Sequence, residues 1–169
     1  PSNSCIHFGI LGSLRAWNFF RLPEGVESSS NVGGFGIDGG VSTLIGASLV
    51  NSSKLYFGVF GDLAFFYDMN SLGNRHIENN LRIMLVNNGK GAEFRLYWHP
   101  AAAFKEDADA FMAAGGHFGN KSANLVKHYA EDLGFEYISA SSKEEFTNVY
   151  SRFVNPELTA KPILFEVFT

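Results

Sequence analysis

The chain holds a single cysteine, Cys5, in 169 residues. No internal disulfide can form, which fits a reducing, cytoplasmic compartment. Charge is also sparse: 18% of residues are charged and the net charge is −4. Without a basic face to release counterions, non-specific nucleic-acid binding is excluded. No apolar run approaches the roughly 20 residues that spanning a bilayer requires, so no membrane span is expected. The start PSNSCIHF does not read as a basic, apolar, small-residue secretory leader, and none is expected. Low-complexity tracts and internal repeats are missing too, and the 46% hydrophobic content is that of a soluble globular protein.

Two residue types are plentiful instead. Seventeen Phe imply either a large core or a large face meant for another surface. Eighteen Gly, several of them clustered (Gly33, Gly34, Gly36, Gly39, Gly40), imply backbone that turns sharply or lies against something. The length is that of one ordinary domain with a real core.

Along the chain, HFGILGSLRAWNFF reads as an amphipathic helix with Ile10, Leu14 and Trp17 on one side and Arg15 beside that stripe. Residues 1–25 are thus expected to form an initial helical region. VESSS reads as a strand leading to the glycine cluster, and IDGGVSTLIGASLVN as a helix buried on several sides. KLYFGVF is a short apolar strand ending at Gly61-Asp62, followed by a helix carrying Phe65, Met69 and Leu72. LRIMLV is a second buried strand, ending at Asn87. From Gly89 to about Asn120 no steady period survives, and a segment that long without clear structure is more often functional than accidental. Leu125, Val126, Tyr129 and Leu133 then mark a helix, FEYISA a strand, SKEEFTNVYSRFV a helix opened by a Ser142–Glu145 capping box, and PILFEVF a last strand. Apolar strands alternating with helices predict an α/β sandwich, three layers around a mainly parallel sheet, with ligands beyond the carboxyl ends of the strands.

Both Gly61-Asp62 and Asn87-Asn88 fall at such ends. If the two strands are neighbours, Asp62 offers a carboxylate oxygen and Asn88 an amide oxygen, with loop carbonyls close by. That hard-oxygen set suits Mg²⁺ or Ca²⁺ and not zinc. Mg²⁺ completes its octahedron with water and a ligand's phosphate oxygens, and the backbone after Gly61 enters a helix N-terminus, where phosphate is favoured. Either pair alone is equally an N-cap or a turn. Their joint occurrence on consecutive strands favours a metal-bound diphosphate.

Gly-Asp, an interval of 24 residues from Leu63 to Val86, then Asn-Asn resembles the signature of thiamine diphosphate enzymes. Leu63 stands where the family usually has a third Gly, a variation similar to its menaquinone-pathway synthase branch, which decarboxylates 2-oxoglutarate and joins the product to isochorismate. SNVGGFGIDGGVSTLIGAS and GDLAFFYDMNSL point the same way. The resemblance covers nearly the whole chain and implies a thiamine diphosphate-binding fold over residues 1–169, the diphosphate-binding domain of a transferase or lyase. It implies Mg²⁺ on Asp62, the Asn88 side chain and the Lys90 carbonyl. Gly61, Leu63, Ala64 and Asn88 would line the diphosphate. Ile37 would sit under the cofactor and force its rings into a V, while the Gly36 carbonyl accepts from the aminopyrimidine, so that the amino group meets the thiazolium C2.

Arg15 matches the branch and is the candidate contact for a substrate carboxylate or the diphosphate. Two positions depart from it: Val32 follows Ser30-Asn31 where the branch has an arginine, and Leu11 stands where a serine is found. An apolar side chain cannot replace a bidentate carboxylate clamp. A relative acting on another 2-oxo acid, similar to acetolactate synthase or sulfopyruvate decarboxylase, therefore stands as an alternative, as does a degenerate scaffold domain without cofactor. His99 and His117, in the irregular segment, are candidates for proton transfer.

Enzymes of this kind complete their site with a pyrimidine-binding domain that carries the activating glutamate, a role that neither Glu78 nor Glu93 fills. The chain, about a third of such an enzyme's length, is accordingly expected to be a C-terminal portion that is inactive alone. Its expected partners are that pyrimidine-binding domain, further copies in a homodimer or homotetramer, and a 2-oxo acid.

Overall fold

The computed structural model describes residues 1–34, 36–111 and 122–169. Six strands, β1 (Ser4–Phe8), β2 (Val26–Ser30), β3 (Leu55–Gly61), β4 (Leu81–Asn87), β5 (Glu136–Ala140) and β6 (Ile163–Phe168), form one sheet. Its order is β2-β1-β3-β4-β6-β5 and every pairing is parallel. The central strands β3 and β4 are buried on both faces because helices cover both. On one face α2 (Gly40–Ser48), α3 (Asp62–Asp68) and α4 (Leu125–Asp132) pack Val41, Leu44, Phe65 and Val126 against Phe60, Ile83 and Leu164. On the other, α1 (Gly12–Trp17) and α5 (Lys143–Phe153) set Trp17, Phe146 and Phe153 against Phe8, Phe57 and Phe165. The expected three-layer α/β sandwich is present, with the sheet wholly parallel.

Close packing explains one glycine directly. A Cβ on Gly58, mid-β3, would come 2.5 Å from Leu44 Cδ2 and 2.4 Å from Phe60 Cε2. Only a hydrogen fits between the sheet and α2. Beneath the other layer, the fully buried Arg82 donates to the carbonyls of Phe153, Asn155 and Glu157 (2.8, 3.0 and 2.6 Å), satisfying the carboxyl end of α5.

Several local expectations are corrected. The initial region is not one helix: SCIHF joins the sheet as β1, and only Gly12–Trp17 is helical. Parallel pairing with β2 and β3 gives β1 ladder bonds on both sides, which outweighs the helical period of a short segment. Helix α2 is buried along one stripe (Val41, Leu44, Ile45, Ser48) and exposed elsewhere, because it lies on the outside of a layer. In α4 the buried residues are Val126 and Ala130, while Leu125 and Leu133 are each 39% exposed. The segment after Gly89 contains 3-10 turns at Ala92–Arg95 and Pro100–Phe111. The Ser142–Glu145 capping box forms as expected: the Glu145 N–H donates to Ser142 Oγ (3.1 Å) and the Ser141 N–H to Glu145 Oε2 (2.7 Å).

The order in which successive strands are laid down reverses between β1 and β3, since β2 lies on one side of β1 and β3 on the other. Crevices for ligands open beyond the carboxyl ends of strands at such switch points. Among the described residues no helix is long and apolar enough to cross a membrane.

Candidate functional site

The tips of β3 and β4 adjoin, with Gly61 in register with Val86. Asp62, 2% exposed, opens α3 immediately after β3. It does not act as that helix's N-cap, a place taken by Gly61 without a side-chain bond. Its carboxylate instead accepts two backbone N–H groups: Leu63 to Oδ1 (2.7 Å) and Lys90 to Oδ2 (3.1 Å). The Lys90 N–H is shared with Asn88 Oδ1 at 2.9 Å. One anionic and one neutral oxygen, from two strand tips, thus converge on a single positive hydrogen.

The turn between them is tightly held. Gly89 has φ +66°, a left-handed conformation that glycine adopts without strain. Its N–H donates to Asn87 Oδ1 (3.1 Å), and Asn87 Nδ2 donates to Glu166 Oε1 (2.7 Å). Glu166 Oε2 in turn accepts from the Tyr137 hydroxyl (2.7 Å). Asn87 and Glu166 are both fully buried, and burial raises the Glu166 carboxyl above the usual carboxylate range. Burial, reinforced by the hydrogen bond to Glu166, also pushes the Tyr137 hydroxyl upward.

Over these tips lies a cleft of about 230 Å³. Its floor is Gly61, Asp62, Leu63, Ala64 and Asn88; Leu11, Gly12, Ser13 and Trp17 of the α1 region form one wall, Lys90, Gly91, Ala92 and Glu93 another, and Ile37 a third. The sequence-predicted residues Ile37, Gly61, Asp62, Leu63, Ala64, Asn88 and Lys90 therefore meet in one place. Leu11, the residue before α1, has φ +67°, an unusual value for a side chain of its size and one that recurs at ligand sites.

The loop bearing Ile37 is anchored from both ends. Asn31 Nδ2 donates to the Gly39 carbonyl (3.1 Å) and to Thr43 Oγ1 (2.9 Å). Asp68 Oδ2, at the end of α3, accepts the backbone N–H (2.6 Å) and hydroxyl (3.0 Å) of Ser42 in the first turn of α2. Gly36 is exposed beside this loop. Val32, 52% exposed, also lies outside the cleft lining.

Arg15 is not in the cleft lining; its guanidinium pairs with Glu93, which is, at 2.6 Å. Arg15 thus reaches the rim with its charge engaged by a cleft carboxylate. His99 lies outside the lining as well, its Nδ1 accepting the Ala101 N–H (3.1 Å) and its ring meeting Phe94 edge-on. His117 lies outside the described residues.

The donor set decides which metal fits. Among the described residues no group of three or more His, Cys, Asp or Glu is placed to hold an ion. A carboxylate, an amide oxygen and loop carbonyls suit a hard cation that keeps ligand and water oxygens. Sequence reasoning missed Asn87, Tyr137, Glu166 and Asp68 as supports of this site. A signal existed for Glu166, a lone acid within the apolar run PILFEVF; for Tyr137 and Asp68 only the packing shows the partner.

No family model matches the chain. Over all 169 residues it is 37% identical to a 2-succinyl-5-enolpyruvyl-6-hydroxy-3-cyclohexene-1-carboxylate synthase of Bacteroides fragilis. Synthases of the same name from Phocaeicola vulgatus and Flavobacterium johnsoniae are 36% and 38% identical, also over 169 residues. The chain spans 29% of the length of the first two proteins and 28% of the third.

Proposed function

We propose that this chain, similar over its whole length to one portion of the 2-succinyl-5-enolpyruvyl-6-hydroxy-3-cyclohexene-1-carboxylate synthases, is the part of such an enzyme that holds Mg²⁺ and thiamine diphosphate. The observation that carries this reading is the convergence of Asp62 Oδ2 and Asn88 Oδ1 on one point between adjoining strand tips. Asp62, Asn88 and the Lys90 carbonyl would hold the metal. Gly61, Leu63 and Ala64 would present backbone to the diphosphate at the start of α3. Ile37 and the Gly36 carbonyl would contact the rings, and the loop that bears them is tied to α2 and α3 through Asn31 and Asp68. When bound, thiamine diphosphate supplies the electron sink for carbanions derived from 2-oxo acids. The chain's own contribution is to orient that group and keep water away, with Leu11, Trp17, Ile37 and Val59 as apolar walls.

The intact enzyme is read as a cytoplasmic transferase or lyase of menaquinone biosynthesis, completed by a pyrimidine-binding domain and by a second copy. The exposed Phe19, Phe20, Tyr97, Trp98 and Phe104 support such a contact face. Val32, an apolar residue where the branch has an arginine, favours a different 2-oxo acid as the second reading. The 169-residue chain alone is proposed not to turn over 2-oxo acids, for want of the activating glutamate.

The test is a thermal-unfolding titration with thiamine diphosphate. Ligand at about 100 times Kd stabilises by about 2.7 kcal/mol, roughly 5 °C or more for a domain of this size. The shift is expected with Mg²⁺ and absent with EDTA. Equal unfolding temperatures in the two conditions, at millimolar cofactor, would overturn the metal-diphosphate reading.

A further inference from the structure

The Asn88–Lys90 turn, which carries proposed metal ligands, is held on the cleft side by Asp62 and, from beneath, by residues outside the cleft. Its central amide, Gly89 N–H, bonds to Asn87 Oδ1, and the other end of the same side-chain amide bonds to Glu166 Oε1 on β6. Asn87 can serve both only in one orientation, oxygen toward Gly89 and nitrogen toward Glu166. A flipped amide would set its oxygen against the carboxylate and its NH₂ against the Gly89 N–H. Glu166 therefore selects the orientation, and Tyr137 O–H, on its second oxygen, prevents the carboxyl from turning away. Asn87 and Glu166 have no exposure, so water cannot take over the bond between them.

We propose that Glu166 is a positioning residue for the metal turn. Through Asn87 it fixes Gly89, and thereby sets how Asn88 Oδ1 and the Lys90 backbone face Asp62. The proposal rests on the Mg²⁺-diphosphate reading of the strand tips and extends it to a side chain that touches neither metal nor cofactor. Two hydrogen bonds are required of this position, one accepted from an amide and one shared with a hydroxyl. Gln satisfies both, because the tyrosine hydroxyl can accept as readily as it donates. Ala satisfies neither.

The experiment compares the 169-residue chain with its Glu166→Gln and Glu166→Ala variants by two measurements. The first is amide hydrogen exchange at Gly89 without metal, with β4 amides as internal reference. The second is affinity for thiamine diphosphate in the presence of Mg²⁺, by calorimetry. In Glu166→Ala, Gly89 is expected to exchange at least tenfold faster while the β4 amides keep their protection, and affinity is expected to fall at least tenfold. Glu166→Gln is expected to stay within about threefold of the parent in both. A merely structural role would lower the melting temperature and leave Gly89 in step with β4, and that result overturns the proposal. So does a folded Glu166→Ala variant with parental affinity. Should Glu166→Ala not fold, Asn87→Ala cuts the same link and is expected to free Gly89 alike. A parent chain that binds no Mg²⁺-diphosphate would instead sink the metal reading and this proposal with it, an outcome told apart by the parent's own titration.

Discussion

The backbone N–H of Lys90 lies 3.1 Å from Oδ2 of Asp62, across 28 positions of sequence. That bond joins the loop after β4 to the first turn of α3 and gives the buried carboxylate a positive partner. It also marks where positive charge is wanted between the two strand tips. A divalent cation there would compete with one amide hydrogen for the same two oxygens.

Asp62→Ala is expected to abolish the Mg²⁺-dependent thermal shift with thiamine diphosphate, because one amide oxygen and a carbonyl do not hold Mg²⁺. The metal-free variant should also lose about 1–3 kcal/mol, since the Leu63 and Lys90 N–H groups lose a charged acceptor. Thermal scans with and without Mg²⁺ separate the two effects. A shift that survives the substitution would move the metal elsewhere.

Glu93→Gln removes a carboxylate from the cleft wall and frees the Arg15 guanidinium. The pair is partly exposed, so the stability change should stay below about 1 kcal/mol. Affinity for the diphosphate should rise several-fold at low ionic strength and approach the parental value near 1 M salt, where charges are screened within about 3 Å. Calorimetric titration at two salt concentrations checks both parts. An unchanged affinity at low salt would show that Glu93 and Arg15 cancel at the rim.

Gly58→Ala is expected to destabilise by about 1–3 kcal/mol without touching the cleft, because the new methyl overlaps Leu44 and Phe60. Urea unfolding should show a lower midpoint with an unchanged slope. Parental stability would mean that α2 shifts outward freely.

His7 is 3% exposed; its Nδ1 lies 2.8 Å from Ser29 Oγ and its Nε2 is buried without a partner. Burial lowers its pKa from the ordinary value of 6.5. The folded chain therefore binds this proton less readily than the unfolded chain. Stability from the neutral ring is complete above about pH 6.5 and is lost as pH falls toward and through the lowered folded value. Urea midpoints at pH 7.5 and 5.5 should differ more for the parent than for His7→Gln. Equal differences would remove His7 as the source.

The strands that place the site were readable because their signals are local. KLYFGVF and LRIMLV are apolar runs of strand length, closed by Gly-Asp and Asn-Asn-Gly, and those residue types are dictated by turn geometry and oxygen chemistry. The first strand was misread because its pattern is short and fits a helical period as well, and only the parallel ladders on both sides decided it. Arg15 was legible as a residue next to an apolar stripe, but its engagement by Glu93, 78 positions away, was not.

From the residues alone came the two polar tips, the α/β class and the hard-oxygen character of the ligands; Ile37 in its glycine-rich loop came from the family resemblance. Strand order was left to the tertiary structure, and with it everything that depends on which tips adjoin. It placed β3 against β4 and β4 against β6, which brought Lys90 to Asp62 and Glu166 to Asn87. Periodicity and turn chemistry act over a few residues, whereas the partner of a buried acid is chosen by how distant segments share one closely packed interior.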